Sequence, residues 1–465
     1  MGEATQKERP VSLGNYLSYG IYRGLELALK PIPMPLVCVI GGMIGTLGGA
    51  LFPGRKKIVV RNLRIAFGDQ LSLEQIQQLA RKTFWRSGAN FIASLKGNTM
   101  QPEELNKCMD IVGIENLRDA REDGQGAILL LAHMGSWEIL VQMHLIISGL
   151  TPFGGLYRPL GNPLLDRLVK RRRQKTGTKL FSRKDGFFTP IAHLKKAGVL
   201  GAFADQNASK HGMSVPFFGK LGSLTNLPAL LHRRTGAPII PISMETVAHG
   251  KWRVQIHPAV EISEAARTNA TVTSSLCAEA FQRIMATSPA DVLWMHGYWK
   301  VGTKRPLKIV GVHKQKNDGL LPAASKSFKV LLFTGQATAN SAEITEQLAR
   351  LRNYRRDLEI ITVGEHAIDP SARQHIRLDP SEPPHIAANT IRRLDQTGNT
   401  PLDLALDVTP DAEGEEIIKL SGIKPAFALK GRHCAVTTKR MFETTSKRNL
   451  AGMLESLGLP AEEDV

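Results

Sequence analysis

A histidine and a glutamate five positions apart form the most chemically suggestive pattern in the sequence, His133-Met-Gly-Ser-Trp-Glu138. On one continuous helix an offset of five turns two side chains well apart, because each residue rotates by about 100°. They converge only if His133 lies on a loop and Glu138 in the first helical turn, with Ser136 as N-cap. The carboxylate then accepts the proton of one imidazole nitrogen and leaves the other as a general base.

The chemistry that this pair supports depends on what stands near it. No serine or cysteine in a nucleophile-elbow context is close in sequence, so direct attack by a substrate hydroxyl is simpler than an acyl-enzyme. The spacing alone is a weak pattern, because histidine is also an ordinary core residue and a common metal ligand. The four cysteines, Cys38, Cys108, Cys277 and Cys434, are too scattered for a zinc cluster or a disulfide framework. We therefore expect no metal, no cofactor and a reducing compartment.

The elements around the pair predict an α/β core. Apolar runs at 126–133, 199–205 and 237–244 lack alternation, which is typical of buried strands in a mostly parallel sheet flanked by helices. The pattern predicts a helix over 137–149, closed by Gly149, and an amphipathic helix pair in the region that opens at Ser72. His133 then lies at the carboxyl end of a strand, where open α/β sheets bind ligands.

Length and charge indicate several domains and an anionic partner. The 465 residues suggest two or three domains, and 42% hydrophobic residues supply sizeable cores. The net charge of +18 lies wholly in the first two thirds, because the chain from Lys326 onward holds 18 basic and 20 acidic residues. Such a field attracts nucleic acid, anionic lipid, phosphorylated substrates or an acidic carrier protein, and composition does not choose among them.

The segment between Lys30 and Arg55 contains no charged residue and is followed by Arg55, Lys56, Lys57, Arg61 and Arg64. Its length approaches a bilayer span, but prolines bracket it and the five glycines between positions 41 and 49 dilute it, so interfacial insertion is at least as good an interpretation. The cations that follow suit an anionic cytoplasmic leaflet. A buried glycine-rich core helix is the alternative. We expect a membrane-associating segment over 1–54.

The remaining boundaries follow from composition. We predict a catalytic domain over 55–312, a polar linker over 313–325 and a smaller C-terminal α/β unit over 326–465, which we expect to be Rossmann-like. In that unit strands are predicted at 329–335, 358–364 and 403–408, with helices at 341–353 and near 386–395.

Several blocks in chain order resemble one family. AHMGSWEI (132–139) is similar to the catalytic box of the lipid A biosynthesis lauroyl/myristoyl acyltransferases, relatives of the glycerolipid acyltransferases with an HxxxxD/E box. RKKIVVRNLRIAF (55–67), LYRPLGNPLLDRLVKRRRQKTG (156–177), ADQNASKHGMSVPFFGK (204–220), TGAPIIPI (235–242) and LWMHGYWK (293–300) resemble further blocks of that family. The resemblance covers roughly residues 15 to 307.

The resemblance implies a role for each matched residue. His133 would be the general base and Glu138 its orienting partner, and Arg158 would stabilise the thioester oxyanion or a substrate phosphate. Substrate binding is implied for Asn162, Arg171, Asp205 and Gln206, although a structural network of Asp205 with Arg158 or Lys210 is equally compatible. The basic run that contains Lys170–Arg173 would be either a solvated face or a docking patch.

The implied reaction is transfer of a fatty acyl chain from an acyl carrier protein or acyl-CoA thioester to a hydroxyl of a membrane glycolipid, lipid A or a related precursor. The implied partners are that donor, the glycolipid and the membrane surface at the cytoplasmic face of the bacterial inner membrane, with no nucleic acid. Hydrolysis, glycosyl transfer and a non-catalytic membrane scaffold remain as alternatives.

Two features depart from the resemblance. Gly297-Tyr298 stands where the family usually has two basic residues between His and Trp, which puts the acceptor's identity in doubt. The chain beyond Phe328 is faintly similar to half of a heptosyltransferase but lacks the glycine-rich loop, of which only Gly335 remains. We therefore expect an accessory unit that is dispensable for the chemistry.

Overall fold

The computed structural model describes residues 10–121, 124–147, 150–182, 186–300, 306–309, 324–335, 341–379, 381–408, 413–423, 425–428 and 450–460. The chain divides into two compact units. The first contains Met1–Val59, Gln78–Gln206 and Leu224–His296, and the second contains Val60–Gln77, Asn207–Ser223 and Gly297–Val465. Most of the predicted linker and the predicted closing residue Gly149 lie outside the described residues.

The helices are α1 (Leu13–Leu29), α2 (Met34–Leu51), α3 (Pro53–Phe67), α4 (Leu73–Gly97), α5 (Pro102–Asn106), α6 (Ile114–Asp119), α7 (Trp137–Leu140), α8 (Pro163–Lys175), α9 (Phe188–Lys195), α10 (Leu227–Thr235), α11 (Glu264–Thr268), α12 (Ala270–Thr287), α13 (Ser341–Tyr354), α14 (Pro384–Thr397), α15 (Glu413–Ser421) and α16 (Leu450–Ser456). The strands are β1 (Met109–Val112), β2 (Ala127–Leu131), β3 (Phe153–Tyr157), β4 (Lys179–Ser182), β5 (Val199–Phe203), β6 (Met213–Phe217), β7 (Lys220–Leu224), β8 (Ile239–Ala248), β9 (Lys251–Ile256), β10 (Phe328–Gly335), β11 (Leu358–Gly364), β12 (Gln374–Arg377), β13 (Leu404–Asp407) and β14 (Ala426–Ala428).

The first unit is built on a seven-stranded sheet in the order β1-β9-β8-β2-β5-β3-β4. The five strands from β8 to β4 run parallel, and β9 pairs antiparallel with β8. β2 is buried over its whole length, which its five consecutive apolar residues require of a central strand. The predicted α/β class with parallel strands and flanking helices is confirmed for this unit.

The second unit contains a parallel five-stranded sheet in the order β12-β11-β10-β13-β14. The predicted strands and helices of this region lie where the sequence placed them, within one or two residues at most ends. β6 and β7 form a separate two-stranded sheet in the same unit. The unit thus combines the C-terminal sheet with two stretches from the first half of the chain.

Two helix predictions were wrong in detail. The region that opens at Ser72 is one helix of 25 residues, α4, rather than a pair. The segment after His133 forms only the short α7, followed by a 3₁₀ turn over Met143–Leu145. The hydroxyl of Ser136 does not cap α7, because it lies 2.9 Å from the hydroxyl of Ser94 instead. Without that cap the helix start lacks its usual stabilisation.

Helix α2 packs against α4 through glycines. A Cβ added at Gly41 would lie 2.6 Å from the carbonyl oxygen of Gly88, and one added at Gly45 would lie 2.1 Å from that of Phe84. The opposite face exposes large apolar side chains, including Ile44 and Leu47. Among the described residues, α2 is the one helix long and apolar enough to cross a membrane, and 33% of it is buried.

The glycine contact predicts opposite effects of one substitution at two positions of α2. Gly45→Ala should destabilise the fold by roughly 1–3 kcal/mol, because the added methyl overpacks the contact with α4. Gly48→Ala is the matched control and should stabilise by roughly 0.5–1 kcal/mol, since nothing lies within 4 Å of its Cβ. Denaturant unfolding in detergent micelles measures both. Equal stability of the two variants would contradict this packing.

Candidate functional site

The register of two neighbouring strands brings His133 and Asp205 together. β2 and β5 run parallel with Leu131 opposite Phe203. His133 follows Leu131 by two residues, and Asp205 follows Phe203 by two. Because carboxyl ends of parallel strands meet at one sheet edge, both side chains emerge side by side. The register of the buried strands therefore brings the two residues to the same edge of the sheet.

The contact between the two side chains is short and largely buried. His133 Nδ1 lies 2.6 Å from Asp205 Oδ1, and the backbone N–H of His133 donates to Oδ2 of the same carboxylate at 3.1 Å. The Asp205 side chain is 0% exposed and that of His133 is 19% exposed. This double contact fixes both the position and the plane of the imidazole.

The pKa of His133 lies above its ordinary value. Burial alone would lower this pKa, but the charge of Asp205 and its hydrogen bond raise it, with a further contribution from the charge of Glu138. With the proton on Nδ1 and directed at Asp205, the lone pair of Nε2 is free to accept a proton. An imidazole accepts a proton only in its neutral form, so Nε2 can accept one only above the pKa of the ring.

The carboxylate that contacts the imidazole of His133 belongs to Asp205, whereas Glu138 makes a different contact. Glu138 Oε2 accepts a hydrogen bond of 2.9 Å from Arg173 Nη2. The guanidinium of Arg173 also lies 5.7 Å from the ring centre of Tyr157. The imidazole contact that was predicted for Glu138 is made in the structure by Asp205, while Arg173 engages the carboxylate of Glu138. Glu138 contributes charge at longer range.

The loop that carries His133 is held by backbone hydrogen bonds. The carbonyl of His133 accepts from the N–H of Leu293 at 2.9 Å, and the N–H of Gly135 donates to the carbonyl of Asp291 at 3.0 Å. Gly135 has φ of +58°, and a Cβ there would lie 2.7 Å from the carbonyl oxygen of Met244. Only glycine fits this close approach without strain.

A buried polar network lies beneath this loop. The Asp291 carboxylate accepts from Asn90 Nδ2 at 3.0 Å, from Thr246 N at 2.8 Å and from Ser288 Oγ at 2.7 Å. The Oδ1 of Asn90 accepts from Trp252 Nε1 at 2.7 Å. Sequence reasoning missed this network. The available signal was a row of polar residues at helical spacing in α4, Thr83, Ser87, Asn90 and Ser94, all of which are buried.

The basic run on α8 is engaged mostly within the protein. Arg172 forms a two-point contact with Glu26 at 2.5 and 2.9 Å, and Lys170 pairs with Asp166 at 3.0 Å. Arg171 is exposed. The run is therefore neither a simple solvated face nor a continuous docking patch, since much of its charge is used to hold α1 and the start of α8.

The other predicted site residues range from an exposed side chain to a helix cap and a buried carboxylate. Asn162 is the N-cap of α8, since its Oδ1 accepts from the N–H of Leu164 at 2.9 Å, and its Nδ2 donates to the carbonyl of Asn15 at 2.8 Å. Asn162 therefore has a structural role, since it caps α8 and binds the backbone of α1. Arg158 is exposed and Gln206 is half-buried. Asp205 contacts His133.

The departure at Gly297-Tyr298 also has a structural consequence. The side chain of Tyr298 is buried, 2% exposed, and its ring centre lies 5.8 Å from that of Phe217. A basic side chain at this position would have to enter an apolar cluster, which is costly without a partner.

No group of three or more His, Cys, Asp or Glu side chains in the part of the chain that the structure describes is arranged to hold a metal ion.

The proton affinity of His133 offers a direct test of the pair. Asp205→Asn should lower the pKa of His133, because the amide removes the charge that opposes desolvation. Glu138→Gln should lower it less, since Glu138 acts only through its charge. Histidine-selective NMR titration measures both pKa values, and a larger shift in the Glu138 variant would show that Glu138 is the main partner.

Comparison with known proteins identifies the family. The model of the family described as bacterial lipid A biosynthesis acyltransferase matches residues 6–301. The chain is 24% identical over 273 residues to a lipid A biosynthesis palmitoleoyltransferase of Escherichia coli (58% of this chain, 86% of the relative). It is 24% identical to the lauroyltransferase of the same organism over 285 residues (60% and 89%), and 24% identical over 235 residues to a phosphatidylinositol mannoside acyltransferase of Mycolicibacterium smegmatis (50% and 73%). The chain belongs to the bacterial lipid A biosynthesis acyltransferase family and is an acyltransferase.

Proposed function

We propose that this enzyme transfers a fatty acyl group from a thioester donor to a hydroxyl of a membrane glycolipid, lipid A or a related molecule, with His133 as general base. The observation that carries the proposal is the hydrogen-bonded pair of His133 and Asp205 at the carboxyl edge of the sheet. The relatives named for lipid A and for phosphatidylinositol mannoside support a glycolipid acceptor. The donor is an acyl carrier protein or coenzyme A thioester.

The reaction follows from the state of the imidazole. Nε2 of His133 removes the proton of the acceptor hydroxyl as its oxygen attacks the thioester carbonyl. The tetrahedral intermediate collapses, the carbon–sulfur bond breaks, and the departing thiolate takes the proton from Nε2. Asp205 holds the proton on Nδ1 and stabilises the imidazolium that forms between the two steps.

The arginines that follow the segment 132–139 in the chain have distinct roles in this proposal. Arg173 neutralises Glu138 and so limits the negative charge beside the imidazole. Arg158 and Arg171 are exposed, which suits contact with a phosphate of the acceptor or with an acidic donor. Gln206, which follows Asp205 directly and is half-buried, contacts the substrate in this proposal. Asn162 acts in the proposal as the cap that fixes the start of α8.

An acceptor that lies in a membrane explains why the N-terminal helices expose apolar side chains. α1 exposes Leu13, Leu17 and Ile21, and α2 exposes a further apolar face. The exposed cations that follow at the start of α3 are Arg55, Lys56 and Lys57. An apolar surface beside exposed cations fits an anionic lipid surface, so we place the enzyme at the cytoplasmic face of the inner membrane.

Removal of the base tests the chemistry. His133→Ala should lower acyl transfer by roughly 10²–10⁴-fold, the usual contribution of a general base, while membrane binding stays unchanged. His366→Ala is the matched control, since His366 is exposed in the second unit. The assay supplies a carrier-protein or coenzyme A thioester, and mass spectrometry of lipids from cells with and without the protein identifies the added acyl mass. Near-normal turnover by the His133 variant would eliminate the mechanism.

Charge reversal tests the membrane surface. Arg55→Glu with Lys56→Glu should weaken binding to anionic vesicles by about 1 kcal/mol or more per residue, because each cation near an anionic surface contributes about that much. Arg233→Glu with Arg234→Glu, at the exposed end of α10, changes the net charge equally and should have little effect. Vesicle sedimentation measures both. An intact chain that is soluble without detergent and binds no vesicles would contradict the proposal.

A further inference from the structure

A buried carboxylate joins three separate stretches of the second unit. Asp403, directly before β13, has a side chain that is 0% exposed. Its Oδ2 lies 2.5 Å from Lys220 Nζ of β7, and its Oδ1 lies 2.6 Å from Arg61 Nη2 of α3. The N–H of Lys329, in β10, donates to Oδ2 at 2.9 Å. Two of these partners, Arg61 and Lys220, lie inside the part of the chain that the family model matches, and Asp403 lies outside it.

Each cation of this cluster has a second contact to the C-terminal sheet. Lys220 Nζ also donates to the carbonyl of Ser327 at 2.8 Å, and Arg61 Nη1 donates to the carbonyl of Leu402 at 2.9 Å. Lys220 is only 3% exposed, so its ammonium depends on these acceptors. A buried cation that loses its carboxylate is strongly destabilised. We call Arg61, Lys220 and Asp403 the buried clasp.

The two-stranded sheet of β6 and β7 is held at its turn as well. The N–H of Lys326 donates to the carbonyl of Gly219 at 2.9 Å, between the two strands. The indole N–H of Trp299 donates to the carbonyl of Phe217 at 3.2 Å, and the two rings stack at 5.3 Å. The segment 207–223 is thus fixed at its turn and through Lys220 by the same unit.

This segment begins two residues after Asp205 in the chain. The chain that leaves the catalytic carboxylate therefore enters a segment whose far end is fixed by the clasp. We propose that the C-terminal sheet is a working part of the acyltransferase, in which Asp403 is a positioning residue that acts through Lys220 and segment 207–223 on Asp205. This inference rests on the proposed function only for the role of Asp205 in acyl transfer.

A C-terminal unit with this role is not dispensable for the chemistry. A chain cut before residue 319 would lose Asp403 and leave Lys220 without its carboxylate. The loss of activity in such a truncation would not separate positioning from unfolding. The test therefore uses substitutions in the full chain.

The first variant is Asp403→Asn, in which the amide oxygen still accepts hydrogen bonds but the charge that balances Lys220 is gone. Backbone amides in 207–223 should exchange with solvent at least about tenfold faster, because a buried pair is broken on one side. The pKa of His133, measured by histidine-selective NMR, should fall towards its ordinary value as Asp205 loses its fixed position, and kcat/KM should fall with it.

The second variant supplies the rescue. Lys220→Met together with Asp403→Asn removes the buried ammonium and keeps one amide oxygen, which accepts from Arg61 at the Oδ1 position or from the N–H of Lys329 at the Oδ2 position. Exchange in 207–223, the pKa of His133 and kcat/KM should all return most of the way to the wild-type values, since replacing both partners of a buried pair is often close to neutral. The exposed pair of Arg253 and Asp110 gives the control, Asp110→Asn, which should change none of the three.

The outcomes separate the clasp from the proposed function. Faster exchange in 207–223 with an unchanged pKa of His133 in the Asp403 variant would overturn the positioning role, as would unchanged exchange. A wild-type enzyme that transfers no acyl group would instead refute the proposed function, while exchange and the pKa of His133 would still decide the role of the clasp.

Discussion

The hydrogen bond of 2.6 Å between His133 Nδ1 and Asp205 Oδ1 is the interaction on which the site depends. It needs two strands that are adjacent, parallel and in one register, because a shift of a single residue would turn one side chain to the other face of the sheet. The five apolar residues of β2 are all buried, which keeps this strand in the centre of the sheet beside β5. The core of the first unit therefore also aligns His133 with Asp205.

Alignment of the strands is not sufficient, because His133 lies on a loop beyond β2. The loop is tied to residues 291 and 293 by backbone hydrogen bonds, and the carboxylate of Asp291 is in turn saturated by Asn90, Thr246 and Ser288. A buried network of this kind is rigid when every member is satisfied and costly when one is lost. The polar residues of α4 thus help to hold the loop that carries His133.

The sequence was informative where one physical signal dominated. Unbroken apolar runs located β2, β5 and β8, and the blocks around His133 identified the reaction class. The partner of His133 could not be read from the same pattern, because spacing along the chain favours Glu138, whereas strand register favours Asp205. Register depends on which strands are neighbours. The same limit applies to Asn162, whose type and position before Pro163 fit a helix cap as well as a ligand.

In the C-terminal sheet the strand order reverses between β10 and β13. In parallel sheets with such a reversal, ligands usually bind at the carboxyl ends of the two strands. In this chain the carboxylate of Asp407 lies at that edge against the start of α15, since a Cβ on Gly414 would lie 2.6 Å from its Oδ1. A fixed negative charge at a helix N-terminus takes the place that a phosphate group would occupy. This disfavours a nucleotide-sugar site there. At the opposite, amino end of the same strands, Asp403 precedes β13 and binds Arg61 and Lys220. The two carboxylates at the ends of β13 thus favour a sheet that supports the acyltransferase over one with a separate glycosyl-transfer chemistry.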